Sequence, residues 1–154
     1  MAYHFGDKSD IFKACINYIN SNYQRILVER IESANSGKQI LANYAESPFI
    51  WAQDFPHELS VKLLFYYLCT GDDEYKELND QIRKSGIQRI LLVLTQKCAL
   101  KQDIKELEAF ASRLQNLISG SIIDAVTTNK ESLTHAKKKT RDYVIEIIAQ
   151  VEFQ

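Results

Sequence analysis

A chain of 154 residues, 45% apolar and 25% charged, has the composition of one globular domain, which argues against disorder and against a membrane class. Its formal net charge of −1 gives no overall basic field for nucleic acid, so any DNA contact would have to be local. The longest apolar run, Ile90 to Leu94, is too short to span a bilayer, and the N-terminus lacks the basic, apolar and small-residue order of a secretory signal.

Five glycines and two prolines are few, and apolar residues recur at three and four rather than two, so the chain reads as all-α with about six helices. The first helix is expected from a cap at Asp7 or Ser9 toward Ala34, with Ile11, Phe12, Cys15, Tyr18, Ile19, Tyr23, Ile26, Leu27 and Ile31 on one stripe. The turn-forming run SANSGK ends it. A second helix, about Lys38 to Ala52, is disturbed or bent at Pro48. A third follows Asp54 as cap and Pro56 in the first turn, and it is apolar almost all round as far as Cys69. Such a helix should be enclosed by others or line a cavity. A fourth, about Asp73 to Lys97, is weakened at Ser85-Gly86.

The last two segments have the cleanest periodicity. After Asp103 as cap, Ile104, Leu107, Phe110, Ala111, Leu114, Leu117, Ile118, Ile122 and Ala125 recur at helical spacing. After Asn129 or Lys130, so do Leu133, Ala136, Thr140, Tyr143, Val144, Ile147, Ile148 and Val151. The short TTNK link makes these helices antiparallel neighbours. Their stripes must be covered either by the body of the domain or by a second copy. Ser119, Gly120 and Ser121 lack bulk and would let another backbone approach. A two-fold four-helix bundle in a homodimer, using Leu114, Ile118, Gly120, Ile122, Tyr143, Ile147 and Val151, is the simplest solution; a six-helix monomer is the alternative.

Little in the sequence points to catalysis. His4, His57 and His135 are scattered without ligand spacing, and no phosphate-cradling glycine loop or nucleophile elbow occurs, so neither a metal, a cofactor nor an enzyme is expected. The acidic runs alternate with lysine and read as solvated charge, as does the basic cluster of Lys137, Lys138, Lys139 and Arg141. Cys15, Cys69 and Cys98 form no pair motif and read as small buried hydrophobes in a reducing cytoplasm. Tyr44, Trp51, Phe55, Phe65, Tyr66 and Cys69 gather on the second and third helices and the connection between them. They are either core or the wall of a pocket for a small hydrophobic molecule.

The opening stretch YHFGDKSDIFKACINYI resembles the end of the DNA-binding module of TetR-family transcriptional regulators, where a recognition helix closes on aromatics and a short turn leads into a long connecting helix. Tyr3, His4 and Phe5 match the aromatic end, Gly6 and Asp7 the turn, Lys8 the turn lysine, and Ile11-Phe12 the start of the connecting helix. LQNLISGSIIDAV is similar to the family's penultimate helix with its central glycine. The resemblance implies a homodimer held by the last two helices, with a small-effector site in each protomer and a first helix that carries the effector's signal to the DNA reader. A family member has roughly 40 residues before this point, including most of the reading helix. Residues 1–6 are thus expected to be a remnant of the reader, with Tyr3, His4 and Lys8 its last contacts, and poorly ordered or repacked. Residues 7–154 are expected to form the sensing and dimerisation domain of a truncated or shortened regulator, with DNA a partner only in a full-length form. The alternative from another class is a stand-alone dimeric helical protein that captures a hydrophobic small molecule or a protein partner. A helical enzyme is the weakest reading.

Overall fold

The computed structural model describes residues 7–98 and 102–152, with 150–152 described as backbone alone; Tyr3 and His4, and the expected remnant at 1–6, lie outside the described residues. Six α-helices follow one another: α1 Lys8–Glu32, α2 Gly37–Asp54, α3 Pro56–Leu68, α4 Asp73–Leu92, α5 Ile104–Thr127 and α6 Leu133–Glu152. Among the described residues there is no strand, and no helix is long and apolar enough to cross a membrane.

The helix starts follow short polar side chains. Asp7 accepts from the Asp10 N–H, Asp72 from those of Glu74 and Tyr75, and Asp103 from that of Lys105. Ser36 caps α2 through the Gln39 N–H, and the Gln39 amide oxygen reaches back to the Asn35 N–H, so α2 begins one residue before the expected Lys38. Phe55, not Asp54, precedes α3, with no side-chain cap and Pro56 in the first turn. Helix α6 begins later than Asn129 or Lys130 because Ser132 receives the His135 N–H. Beyond the end of α4 at Leu92, a π-helical turn, Val93–Lys97, continues the helical run to the expected Lys97 and places Val93 and Leu94 in the core.

Helix α2 is the axis of the fold. Its most extensive partners are α6 and α1, and it also touches α3 and α5. That position explains why it buries residues on all sides, from Ile40 and Leu41 through Tyr44, Ala45, Phe49, Trp51 and Ala52. Pro48 remains inside the helix, which leaves the Tyr44 carbonyl without its usual helical donor. Of the two alternatives for the apolar third helix, enclosure and lining a cavity, the structure has the second: α3 buries Leu59, Lys62 and Phe65 and leaves Leu64 and Tyr67 exposed, and Leu59, Lys62, Leu63 and Tyr66 line a cavity. Between them, α1, α2 and α6 are clasped by Glu46, which accepts from Arg30 at 2.9 Å and from Arg141 at 3.1 Å. Arg141, half-buried, is therefore tied to α2 as well as to its neighbour Asp142 rather than simply solvated.

Two further expectations shift by part of a helical turn. The buried stripe of α1 is Ile16, Ile19, Leu27 and Ile31, while Ile11, Cys15 and Tyr18 are exposed. The α1 N-terminal half touches mainly α3 and α4, through a small cluster of Ile16, Phe65 and Cys69 ringed by Phe12, Tyr66 and Tyr75, so only a narrow face is covered there. The cysteines accordingly differ, with Cys69 buried, Cys98 half-buried and Cys15 exposed.

Candidate ligand-binding cavity

A cavity of about 500 Å³ opens between α1, α2, α3, α4 and α5. That volume lies within the roughly 300–1,000 Å³ range of small-molecule sites. Helix α1 contributes about two turns from Asn17 to Gln24, α2 contributes Tyr44, Pro48 and Trp51, and α3 contributes Leu59, Lys62, Leu63 and Tyr66. Helix α4 supplies the wall from Leu78 to Ile90, and α5 closes it with Gln115, Ile118, Ser119, Ile122 and Ile123.

Of the residues proposed from sequence as a pocket, Tyr44, Trp51 and Tyr66 line this cavity. Phe55, Phe65 and Cys69 do not. Phe65 and Cys69 belong to the smaller cluster beneath it, where Phe65 packs edge-on against Tyr75 at 6.1 Å, and Phe55 packs half-buried on the main core. Lys62 and Phe65, three positions apart, both face α1: Lys62 reaches Asn20, whereas Phe65 packs one turn further along α3 against Ile16 and Phe12.

Lys62 is the feature that sequence reading missed. Only 8% exposed, it donates to Asn20 Oδ1 at 2.9 Å and lies 5.3 Å and 5.5 Å from the Phe65 and Tyr66 ring centroids. Burial pushes its ammonium down from 10.5 to about 8, because the charged form loses water and has no carboxylate to replace it. The available signal was a single lysine set in the apolar run between Val61 and Leu63. Arg83 and Arg89 face the same cavity from α4, and no aspartate or glutamate lines it. Arg83 donates to Asn116, whereas Arg89 makes no hydrogen bond or ion pair among the described residues. Glu58 stands outside the lining and is committed elsewhere, accepting from the Trp51 indole at 2.7 Å and from Asn22 at 3.0 Å.

The three tyrosines of the wall are donors. Burial pushes the hydroxyls of Tyr23, Tyr44 and Tyr66 above the usual range, so they keep their protons at neutral pH. None of the three hydroxyls has a hydrogen-bond partner among the described residues. Nearby, Asn20 Nδ2, Asn79 Oδ1 and Gln115 Oε1 are buried without partners, an arrangement that costs stability until something supplies them. The space beside Gly86 is used: the Gln115 amide passes where a Cβ would sit and donates to the Arg83 carbonyl at 3.3 Å, so a side chain at 86 would make that flexible amide step aside.

The proposed dimer residues divide. Leu114, Ile118 and Ile122 are buried within this one chain, with Ile118 and Ile122 on the cavity wall, so they are not a surface that a second copy can cover. Alternating helical faces leave Gly120 and Tyr143 exposed and Ile147 half-buried on the outside of α5 and α6. Among the described residues, its own stretch of helix apart, nothing lies within 4 Å of a Cβ built on Gly120. The side chain of Val151 lies outside those described. Lys8 is the exposed first residue of α1. Among the described residues no group of three His, Cys, Asp or Glu side chains could hold a metal ion.

In comparisons with family models, curated proteins and solved structures, this chain matches none. Function must therefore be argued from the cavity.

Proposed function

We propose that this chain is the effector-binding and dimerisation part of a TetR-like transcriptional regulator, with the cavity between α1 and α5 as the effector site. The observation that carries the reading is the cavity itself: about 500 Å³, with apolar walls and polar groups on facing helices. The resemblance of residues 3–12 to the seam after a DNA-reading helix supplies the regulatory part of the reading. Helix α1 fits the role of transmitter, because it begins at that seam with Lys8 and contributes cavity residues from Asn17 onward, about 14 Å further along its axis. An effector that favours one position of α1 over another shifts a pre-existing equilibrium by its difference in affinity for the two states.

The second copy would pack on the outer face of α5 and α6, where Gly120, Tyr143 and Ile147 lie, rather than on the buried Leu114, Ile118 and Ile122. A thermal-melt screen against a library of hydrophobic small molecules tests the effector site. The expected result is a rise in melting temperature with a defined subset of compounds, by mass action on the folded state. No stabilising compound, together with unchanged Trp51 fluorescence across the library, would count against the site. Light scattering at micromolar concentration tests the quaternary part, and a monomer would refute it.

A further inference from the structure

We propose that the cavity takes a small-molecule carboxylate with an apolar body, its head held by Lys62 and Arg89; this rests on the cavity being a ligand site. Three cations line the space and no acidic side chain does, so the formal charge of the wall favours an anionic ligand over a cationic one. Lys62 is buried with a single neutral partner, Asn20, and Arg89 has no hydrogen-bond or ion-pair partner among the described residues. A buried ammonium without a counter-charge is a destabilising feature of the empty protein, and a bound carboxylate removes that penalty while forming charge-assisted hydrogen bonds. The Arg89 guanidinium suits a carboxylate because its planar fork matches two coplanar oxygens.

The surroundings complete the recognition. Tyr23 and Tyr44 line the same cavity as Arg89, and their protonated hydroxyls are neutral donors that do not compete with the ligand's negative charge. The rest of the wall near Lys62, including Ile19, Leu59 and Leu63, offers carbon rather than polar atoms and accommodates an aliphatic or aromatic body. The unpartnered Asn20 Nδ2 adds one more donor beside the lysine.

The test is calorimetric titration of the intact chain at pH 7 with three probes that share a tail and differ in head: decanoate, decanol and decylamine, each below its solubility limit. Decanoate is expected to bind at least about tenfold more tightly than decanol, and decylammonium more weakly than either. Lys62→Met and Arg89→Met should each bring decanoate affinity close to that of decanol measured on the same variant, and circular dichroism of each variant shows that it folds. Decanol binding as well as decanoate, or decylammonium binding best, would overturn the carboxylate assignment and leave the small-molecule cavity standing. A decanoate preference that survives both substitutions would overturn the roles of Lys62 and Arg89. Binding of none of the three would overturn this inference and the cavity reading together.

Discussion

Replacing Lys62 by methionine keeps the length of the side chain and removes its charge, which isolates what that charge costs the empty protein. In the unfolded chain the ammonium titrates near 10.5 and in the folded one near 8, an interval that corresponds to about 3 kcal/mol. Below pH 8 both states are protonated and the folded protein carries that cost in full. Between 8 and 10.5 the folded state has lost the proton while the unfolded state keeps it, so the unfolded state binds more protons and stability rises with pH. From pH 7 to pH 9.5 the gain from this one group is about 2 kcal/mol. At pH 7 the variant also forfeits the bond to Asn20, worth about 1–3 kcal/mol if the amide oxygen stays buried, so its absolute stability there lies near that of the parent. The diagnostic quantity is therefore the difference between the two proteins as a function of pH. Urea unfolding at pH 7, 8.5 and 9.5 measures it in a Cys69→Ala background, which removes the thiol whose titration Lys62 draws down, and the tyrosines titrate in both proteins and largely cancel. The parent should gain about 2 kcal/mol on the variant across that interval. Parallel curves would refute the claim that Lys62 is held charged and undercompensated.

Four other substitutions probe the packing and the outer face. Glu46→Ala removes the acceptor shared by Arg30 and Arg141 and should cost about 1–3 kcal/mol in chemical denaturation, toward the lower end because both arginines retain some water; no loss would mean the clasp joining α1, α2 and α6 is ornamental. Gly86→Ala should gain about 1 kcal/mol of helix propensity and lose a similar amount as Gln115 leaves the Arg83 carbonyl, so its unfolding midpoint should barely move while ligand affinity changes; a loss above about 2 kcal/mol would mean the flexible amide cannot step aside. Ile118→Asp places an uncompensated charge in the core and should abolish folding by circular dichroism, whereas Tyr143→Arg on the outer face should leave the fold intact and shift light scattering from dimer to monomer. Unfolding by the second, or a soluble folded product from the first, would reverse the assignment of inner and outer faces.

The helices were legible in the sequence because their signals are local. Asp7 and Asp103 cap where they were expected to, and the run at Asp72-Asp73 marks the start of α4. Which face of each helix is buried was less legible, since periodicity constrains the stripe only to within part of a turn. On α1 it admitted Ile11, Cys15 and Tyr18, which packing leaves exposed because α3 and α4 cover a narrow strip. On α5 the periodic stripe of Leu114, Ile118 and Ile122 was assigned to a second copy although the protomer's own core and cavity wall use it. The aromatic half of the cavity was visible in composition, through Tyr44, Trp51 and Tyr66. Its cationic half was not, because Lys62, Arg83 and Arg89 sit on two helices that become neighbours only in three dimensions, and no spacing rule brings them together.

The measurement that addresses the cavity most directly uses the single tryptophan. Trp51 lines it, and its indole N–H, bonded to Glu58, gives one indole cross-peak in a nitrogen-15 NMR spectrum. Titration with decanoate should move that peak saturably, with the dissociation constant found by calorimetry, and the movement should be lost in Lys62→Met. Heat of binding with an indole peak that stays in place would put the ligand elsewhere on the molecule and contradict the account.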